Sequence, residues 1–534
     1  MSKAVYPPKH RFEADQVYAW FRTIKAKRTM SKAYNKLLVG LLSLFILGCG
    51  AEPNHKTNHP EDHPPNIIYI LADDLGYGDL GCFGQRTLST PNIDRLAAQG
   101  MRFTQHYAGS TVCAPSRASL LTGKHAGHIN VRGNQPPGQL IRDDEVTIPA
   151  ALKEAGYASA IIGKWGIGHP PAPNDPARNG FNHHYGYINM WHAHNFYPAF
   201  LYENGRKVTL EGNITDDQYD YDKYHPNGMP EGTGIAKEKK TYVLGEFEKQ
   251  AFTFMEENKE RPFFLFLALN MPHANNEAGY FLKDGMEVPM IMQDGQLRPN
   301  YLEYGNKDWP NPEKGFAAMM RLIDNSVGLV ESKLKELGLN DNTVVIFASD
   351  NGPHQEGGHK VDFFDSNGPL RGAKRDLYEG GIRVPMIAKW PGKIQAGSSS
   401  EHQSGFWDLL PTFCEIAGVT IPKGIDGKSL LPTLTGQADQ QEKPEFLYWE
   451  FYEQGGKQAA RKDNWKYIKL NVRDPNEPIK QELYDLSKDP AEQHNLVQKY
   501  PKIVAEMEAI IKSAHQPTTV ISLFSMETNA ETAF

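Results

Sequence analysis

Two stretches far apart in the chain end in the same way. Residues 66–72 form an apolar run that stops at Asp73-Asp74, and residues 343–349 form another that stops at Asp350-Asn351-Gly352. A short apolar run without polar alternation, closed by turn residues, reads as a buried strand. A third run, 262–270, leads into Met271-Pro272-His273, and 157–163 leads into Lys164. Helical stretches lie between them: 90–100, read as a capped helix stopped by Gly100, then 148–156, 251–257 and 313–337. In the last, Phe316, Met319, Met320, Leu322, Ile323, Val327, Val330 and Leu334 fit one stripe. This alternation predicts an α/β fold with an open sheet, in which ligands bind at the C-terminal ends of the strands.

Asp73-Asp74 alone reads equally well as a solvated turn. Two core strands that both deliver acids change the balance. Three carboxylates packed at low dielectric repel strongly. A hard divalent cation with oxygen ligands, Ca²⁺ or Mg²⁺, resolves that. The candidate ligands are Asp73, Asp74, Asp350 and Asn351.

Cys113-Ala114-Pro115-Ser116-Arg117 reads as the start of a helix, because Pro115 suits a first turn. Cys113 and Arg117 then share one face, at a helix end that favours anions. On these residues alone, a plain cysteine ahead of a helix remains open.

The longer match, residues 113–123 (CAPSRASLLTG), resembles the signature of the formylglycine-dependent type I sulfatases, arylsulfatase-like members of the alkaline phosphatase superfamily. The resemblance runs from about residue 66 to 498, with its motifs in family order. It implies that Cys113 is oxidised to formylglycine (3-oxoalanine) by a formylglycine-generating or anaerobic sulfatase-maturating enzyme. The hydrated aldehyde then attacks the sulfur of a sulfate ester, helped by Asp350. It implies one Ca²⁺, in preference to Mg²⁺, on Asp73, Asp74, Asp350 and Asn351. Lys164, in a Gly-Lys-Trp motif, and Lys374, in a second signature spanning 370–385, match the sulfate-binding lysines; Arg117 joins them. His273 matches the general acid that protonates the leaving alcohol. Many members carry His two residues after the first lysine, where this chain has Gly166; His169, His192 and His194 are the candidates to replace it. Arg371 and Arg375 read as nearby structural ion pairs. The fold implied is a large mixed, mainly parallel sheet flanked by helices, with a smaller C-terminal antiparallel sheet plus one helix, the helix capped at Asp489-Pro490.

Residues 181–200 are dense in aromatic, His and Asn side chains. They read either as a half-buried loop or as a platform on which sugar rings stack while His and Asn bind hydroxyls. The substrate-side candidates are His169, Asn189, His192, His194 and His354. The expected substrate is a sulfated polysaccharide or oligosaccharide. The rival readings are a phosphate or phosphonate ester hydrolase of the same superfamily, and a catalytically silent glycan-binding lipoprotein.

The 534 residues carry a net charge of −7, which argues against a general nucleic-acid binder. Residues 37–47 are apolar, preceded by Lys32 and Lys36 and followed by Gly48-Cys49. That is a signal peptide by length and flanks, and residues 46–49 resemble a bacterial lipobox with Cys49 as the lipidated residue. Translation from Met30 would give a more ordinary signal. The expected partition is 1–49 signal and lipobox, 50–65 tether, 66–440 catalytic and 441–534 a C-terminal α+β subdomain. The expected location is the bacterial periplasm or cell surface, held to the outer membrane by the lipid alone, with plain secretion as the alternative. Cys82 and Cys414 read most simply as free thiols.

Overall fold

A computed structural model describes residues 64–134, 139–168, 175–226, 228–518 and 523. The signal and lipobox region with Cys49, most of the tether, and His169 lie outside the described residues. In chain order the elements that place the site are β1 (Asn66–Asp73), α1 (Pro91–Ala98), β2 (Met101–Tyr107), α2 (Cys113–Thr122), β3 (Ala158–Lys164), β4 (His183–Tyr187), β5 (Phe200–Glu203), β6 (Arg206–Thr209), α3 (Val243–Glu257), β7 (Phe263–Pro272), α4 (Asn276–Leu282), α5 (Asn311–Glu336), β8 (Thr343–Ser349), β9 (Arg383–Lys389), β10 (Ser398–Ser400) and α6 (Leu409–Ala417). An 11-stranded sheet runs in the order β10-β2-β9-β8-β1-β7-β3-β4-β5-β6, with Ser404–Gly405 added beside β2. The centre, β8-β1-β7-β3-β4, is parallel; β9 against its two main neighbours and β5 against β4 and β6 are antiparallel. The fold is therefore the α/β class with a mixed, mainly parallel sheet that the sequence predicts.

The apolar runs are apolar throughout because each strand feeds two cores. Ile68, Ile70 and Ala72 of β1 point into the layer of α1, α3 and α5, while Ile67, Tyr69 and Leu71 point into the layer of α2 and α6. Strands β7 and β8 divide in the same way, as the two-residue period of a strand requires. Met319 and Met320 are fully buried on the stripe of α5.

Register brings the strand ends level. Ala72 pairs with Ser349, Asp73 with Pro272, and Gly163 with Ala268. The residues that follow, Asp74, Asp350, His273 and Lys164, therefore leave the sheet along one edge. Gly163 is required there: its φ is +109°, and a Cβ would sit 2.0 Å from the Ala268 carbonyl oxygen. Gly163→Ala is expected to cost about 1–3 kcal/mol through backbone conformation alone, with the clash in addition. A chemical denaturation midpoint equal to that of the parent protein would show that β3 and β7 do not pack this tightly.

A second sheet is antiparallel: β11 (Leu447–Phe451), β12 (Lys457–Lys462), β13 (Trp465–Leu470) and β14 (Lys480–Asp485), followed by α7 (Pro501–Ala514). One face, with Trp449 and Ile468, packs on Val112, Leu377 and Trp407; the other, with Tyr448 and Tyr467, packs on Met507 and Ile511 of α7. The second sheet thus supports Val112, the residue immediately before α2.

Local details depart from the sequence reading. Thr90 does not cap α1. The free N–H groups of Asn92 and Ile93 are instead taken by the buried Asp324 carboxylate of α5, at 2.8 and 2.9 Å. Asp489 does not cap the last helix, which starts at Pro501; its carboxylate closes a turn on the Gln493 and His494 N–H groups. Arg375 does form an ion pair, but Arg371 stacks on Tyr378 and donates to Tyr484 Oη and the Glu492 carbonyl. Cys82 and Cys414 are free thiols.

Candidate active site

Helix α2 opens at Cys113 and is buried along its whole length. The Cys113 thiol donates to Asp73 Oδ1 at 3.3 Å, and Lys164 Nζ lies 3.4 Å from the sulfur and 2.7 Å from Asp73 Oδ2. One turn on, Arg117 donates through Nε and Nη2 to Asp350 Oδ2 at 3.1 and 2.9 Å, and through Nη1 to the Lys164 carbonyl at 2.6 Å. Ser116 Oγ ties the helix to the Asp350 carbonyl at 2.6 Å. Lys374 Nζ sits 2.8 Å from Asp74 Oδ2 and 3.0 Å from His273 Nε2. His273 Nδ1 donates to the Ala274 carbonyl at 2.7 Å, which leaves Nε2 facing the site. Cys113, Arg117, Lys164, His273 and Lys374 therefore meet the four oxygen-bearing residues in one buried cluster.

Its electrostatics follow from dense charge without water. Burial, with the Asp73 charge second, pushes the Cys113 thiol well up, so as a thiol it is a poor nucleophile. Burial disfavours the Asp73 anion, but Lys164, His273 and Arg117 outweigh it and hold its pKa well below the usual range. Burial and the neighbouring Asp73 push Asp350 up to about 7. Burial and then Lys374 press His273 well down, so its Nε2 accepts from Lys374.

The donor set suits a hard divalent ion. Ligand atoms of Asp73, Asp74, Cys113 and Asp350 all lie within 4.8 Å of one another. Asn351 Nδ2 is held by Asp74 Oδ1 at 2.7 Å and the Gly352 carbonyl at 2.9 Å, whereas its Oδ1 is buried with no hydrogen-bond partner. A buried amide oxygen is rarely left unpaired; a metal ion beside the carboxylates would satisfy it. Asp74 itself is left-handed, with φ +69°, an uncommon conformation of the kind that clusters at functional sites.

The substrate-side candidates separate. His194 stacks on His273 with ring centres 4.3 Å apart, and its Nδ1 is buried without a partner. Three expectations need correction. His354 is fully buried and both its nitrogens are committed: Nε2 to the Pro272 carbonyl and Nδ1 to the Glu356 N–H, each at 3.0 Å. It braces the His273 loop and has no nitrogen to spare for substrate. His192 is a core residue among Tyr187, Phe200 and Tyr202. Asn189 Oδ1 closes a turn on the His192 N–H at 2.6 Å. Tyr185, Tyr187 and Tyr197 are likewise core, so most of the aromatic stretch is packing. Gly166 adopts φ +76°, and a Cβ there would lie 3.3 Å from both Arg117 Cδ and Lys164 Cε. Of the two described histidines proposed to stand in for a side chain at that position, His194 is the one that contacts His273.

Sequence reasoning missed two residues. Glu356 pairs with Arg375 at 2.6 Å and Lys374 at 3.4 Å, and lies 3.6 Å from His273 Nε2. Burial opposes its charge, but Lys374, His273 and Arg375 outweigh burial and keep it ionised. Its one signal is an acid in the loop between Asp350-Asn351 and the second signature. Asn134 Oδ1 accepts from the Ala114 N–H at 3.1 Å, beside Cys113, and its own N–H donates to Glu453 Oε1 of the second sheet.

A helix-borne cysteine, three cations and an imidazole around buried acids, at the edge of a mainly parallel sheet, define an anion-ester hydrolase. The sulfatase family model matches residues 65–419, and the model of the N-sulphoglucosamine sulphohydrolase C-terminal region matches 372–516. The chain belongs to the sulfatase family, as a type I sulfatase of the alkaline phosphatase superfamily, and is a sulfuric ester hydrolase. It is 34% identical over 429 residues to the dog (Canis lupus familiaris) N-acetylgalactosamine-6-sulfatase, covering 76% of this chain and 72% of that one. It is 29% identical to the N-acetylgalactosamine-6-O-sulfatase of Bacteroides thetaiotaomicron, covering 90% and 99%. The crystal structure of Ps i-CgsB superposes with a TM-score of 0.67 at 28% identity, covering 88% and 96%.

Proposed function

We propose that this chain removes sulfate from a sulfated oligosaccharide or polysaccharide, using formylglycine made from Cys113 and one Ca²⁺. The observation that carries the reading is the convergence of Cys113, Arg117, Lys164, His273 and Lys374 on Asp73, Asp74, Asp350 and the unpaired Asn351 oxygen. Two relatives named for a sulfated amino sugar support the carbohydrate.

The hydrate of formylglycine supplies an oxygen nucleophile that the raised-pKa thiol cannot. Asp73, Asp74, Asp350 and Asn351 would hold the ion, which would supply positive charge to the sulfate group. The protein's own residues do the rest. Arg117 and Lys164, tied to each other through the Lys164 carbonyl, flank the nucleophile on one side. Lys374 covers the other side and donates to the sulfate oxygens as charge builds on them. His273, held by the Ala274 carbonyl, presents Nε2 where the leaving oxygen departs. Lys374, 3.0 Å away, orients that nitrogen through a hydrogen bond. Export with lipidation at Cys49, and activation by a maturase, belong to the same proposal.

The test is sulfate release, read by ion chromatography, from a panel of sulfated mono- and oligosaccharides, with phosphate and phosphonate monoesters of matched alcohols as the counter-panel. Sulfate release with at most trace phosphate release is expected; the reverse order would move the chain to the phosphonate or phosphate ester hydrolases. Ca²⁺ at about a hundredfold excess over its Kd is expected to stabilise the protein by roughly 2.7 kcal/mol, read as a raised Tm that a chelator reverses. An unchanged Tm, with Ca²⁺ absent from the purified protein by elemental analysis, would count against the ion.

A further inference from the structure

The leaving alcohol must lie at His273 Nε2, so whatever is attached to it must leave along the surface beside that ring. That surface is a row of rings from separate segments. His194 stacks on His273 at 4.3 Å, Trp191 meets His194 at 5.6 Å, and His225 meets Trp191 at 5.3 Å. Tyr224 meets His225 at 4.8 Å and Tyr280 meets Tyr224 at 5.3 Å. The inner ring is buried and the outer one open: His194 is 5% exposed and His225 7%, Trp191 and Tyr224 are half-buried, and Tyr280 is 46% exposed.

The row is held in place. His225 Nε2 is bound to Glu277 of α4 at 2.7 Å, and Tyr221 and Ile235 pack with Ala278 and Phe281 of α4. Near its outer end the Tyr224 hydroxyl lies within the electrostatic reach of Glu356 and Arg375. Those two side chains keep 17% and 33% exposure. Apolar ring faces interleaved with a phenol, an indole, a carboxylate and a guanidinium are what a sugar needs: faces for its C–H surface and polar groups for its hydroxyls.

We infer that Trp191, Tyr224 and Tyr280, with the Glu356–Arg375 pair, form a saccharide subsite that binds the sugar residue next to the sulfated one. The natural substrate is then an oligosaccharide or polymer chain. Tyr224 and His225, with α4, supply the outer part of this subsite. The inference rests on the sulfatase reading only for which end of the row holds the sulfate.

The experiment uses the Cys113→Ala protein, so that ligand is not consumed. The probe is an array of sulfated mono-, di- and tetrasaccharides. The best tetrasaccharide is expected to bind about tenfold or more tightly than its sulfated monosaccharide. Tyr280→Ala and Tyr224→Ala, added separately, are expected to erase that difference and leave monosaccharide binding and Tm unchanged. No array member bound, no gain from chain length, or a gain that both tyrosine variants retain would overturn the subsite. If the tetrasaccharide binds through the tyrosines but the formylglycine-bearing protein releases no sulfate from it, the subsite stands and the hydrolase reading of the site fails.

Discussion

Replacing Cys113 by alanine is expected to lower sulfate release by about 10⁴-fold or more, as loss of a nucleophile does in other hydrolases. The loss should fall on kcat, because Arg117, Lys164 and Lys374 still bind the sulfate group. It should also leave the fold intact. Cys113 makes two weak hydrogen bonds, one to Asp73 and one from Lys164, and those two residues keep their shorter contact to each other at 2.7 Å. Cys113→Ser separates the two roles of the position. A serine hydroxyl fits the same space, but the groups that touch the Cys113 sulfur are ill suited to take its proton: Lys164 is cationic, and Asp73 is engaged by Lys164 and Arg117. It should stay near the alanine level unless a maturase that accepts serine converts it. A serine variant with parental turnover and no aldehyde would mean that the aldehyde chemistry is dispensable.

Arg117→Ala is expected to cost stability as well as turnover. Arg117 and Asp350 are both fully buried, and the guanidinium makes two bonds to one carboxylate oxygen. Removing one partner of such a pair typically costs about 3–5 kcal/mol, because it strands the other charge away from water. Here the stranded charge is the Asp350 carboxylate, which already lies beside Asp73 and is pushed up to about 7. The sign follows. With its folded pKa above the unfolded one, Asp350 binds a proton more readily in the native state, so its contribution to stability falls as pH rises from about 4 to 7. Without the guanidinium that fall should deepen. The penalty of Arg117→Ala, read as a shift in the urea midpoint, should therefore be smaller at pH 5 than at pH 8. A penalty equal at both, or none at either, would show that Asp350 does not depend on Arg117 for its charge. Saturating Ca²⁺ should narrow the difference, since a cation on Asp350 supplies the same compensation.

Much of this site is legible in the sequence, for a topological reason. Parallel strands line up their C-terminal ends, so the residues just after β1, β3, β7 and β8 meet whatever lies between them in the chain. Asp73, Asp74, Asp350 and Asn351 could be placed together from strand ends, and the family resemblance added Lys164 and His273. What could not be read depends on loops that return from far away. Glu356 reaches Lys374 and His273 only because the loop after β8 folds back over β7, where His354 binds the Pro272 carbonyl. One residue separates His192 from His194, yet the first is core and the second stacks on His273. A single 3₁₀ turn at His192–His194 decides that, and no periodicity announces it. Asp324 caps α1 from 232 residues beyond Asn92. The sugar subsite is a starker case. Its rings come from 191, 224–225 and 280, whereas the aromatic density of 181–200 points to a stretch that mostly fills the core.

The measurement that bears most directly on the central claim is the mass of the proteolytic peptide carrying Cys113, taken from protein co-produced with a sulfatase maturase and assayed in parallel for sulfate release. The account predicts a peptide in which the thiol carbon has become an aldehyde, lighter by the difference between H₂S and O, with turnover rising in proportion to its fraction. Turnover in protein whose Cys113 remains entirely a thiol, or a fully converted Cys113 with no sulfate released from any ester, would contradict it.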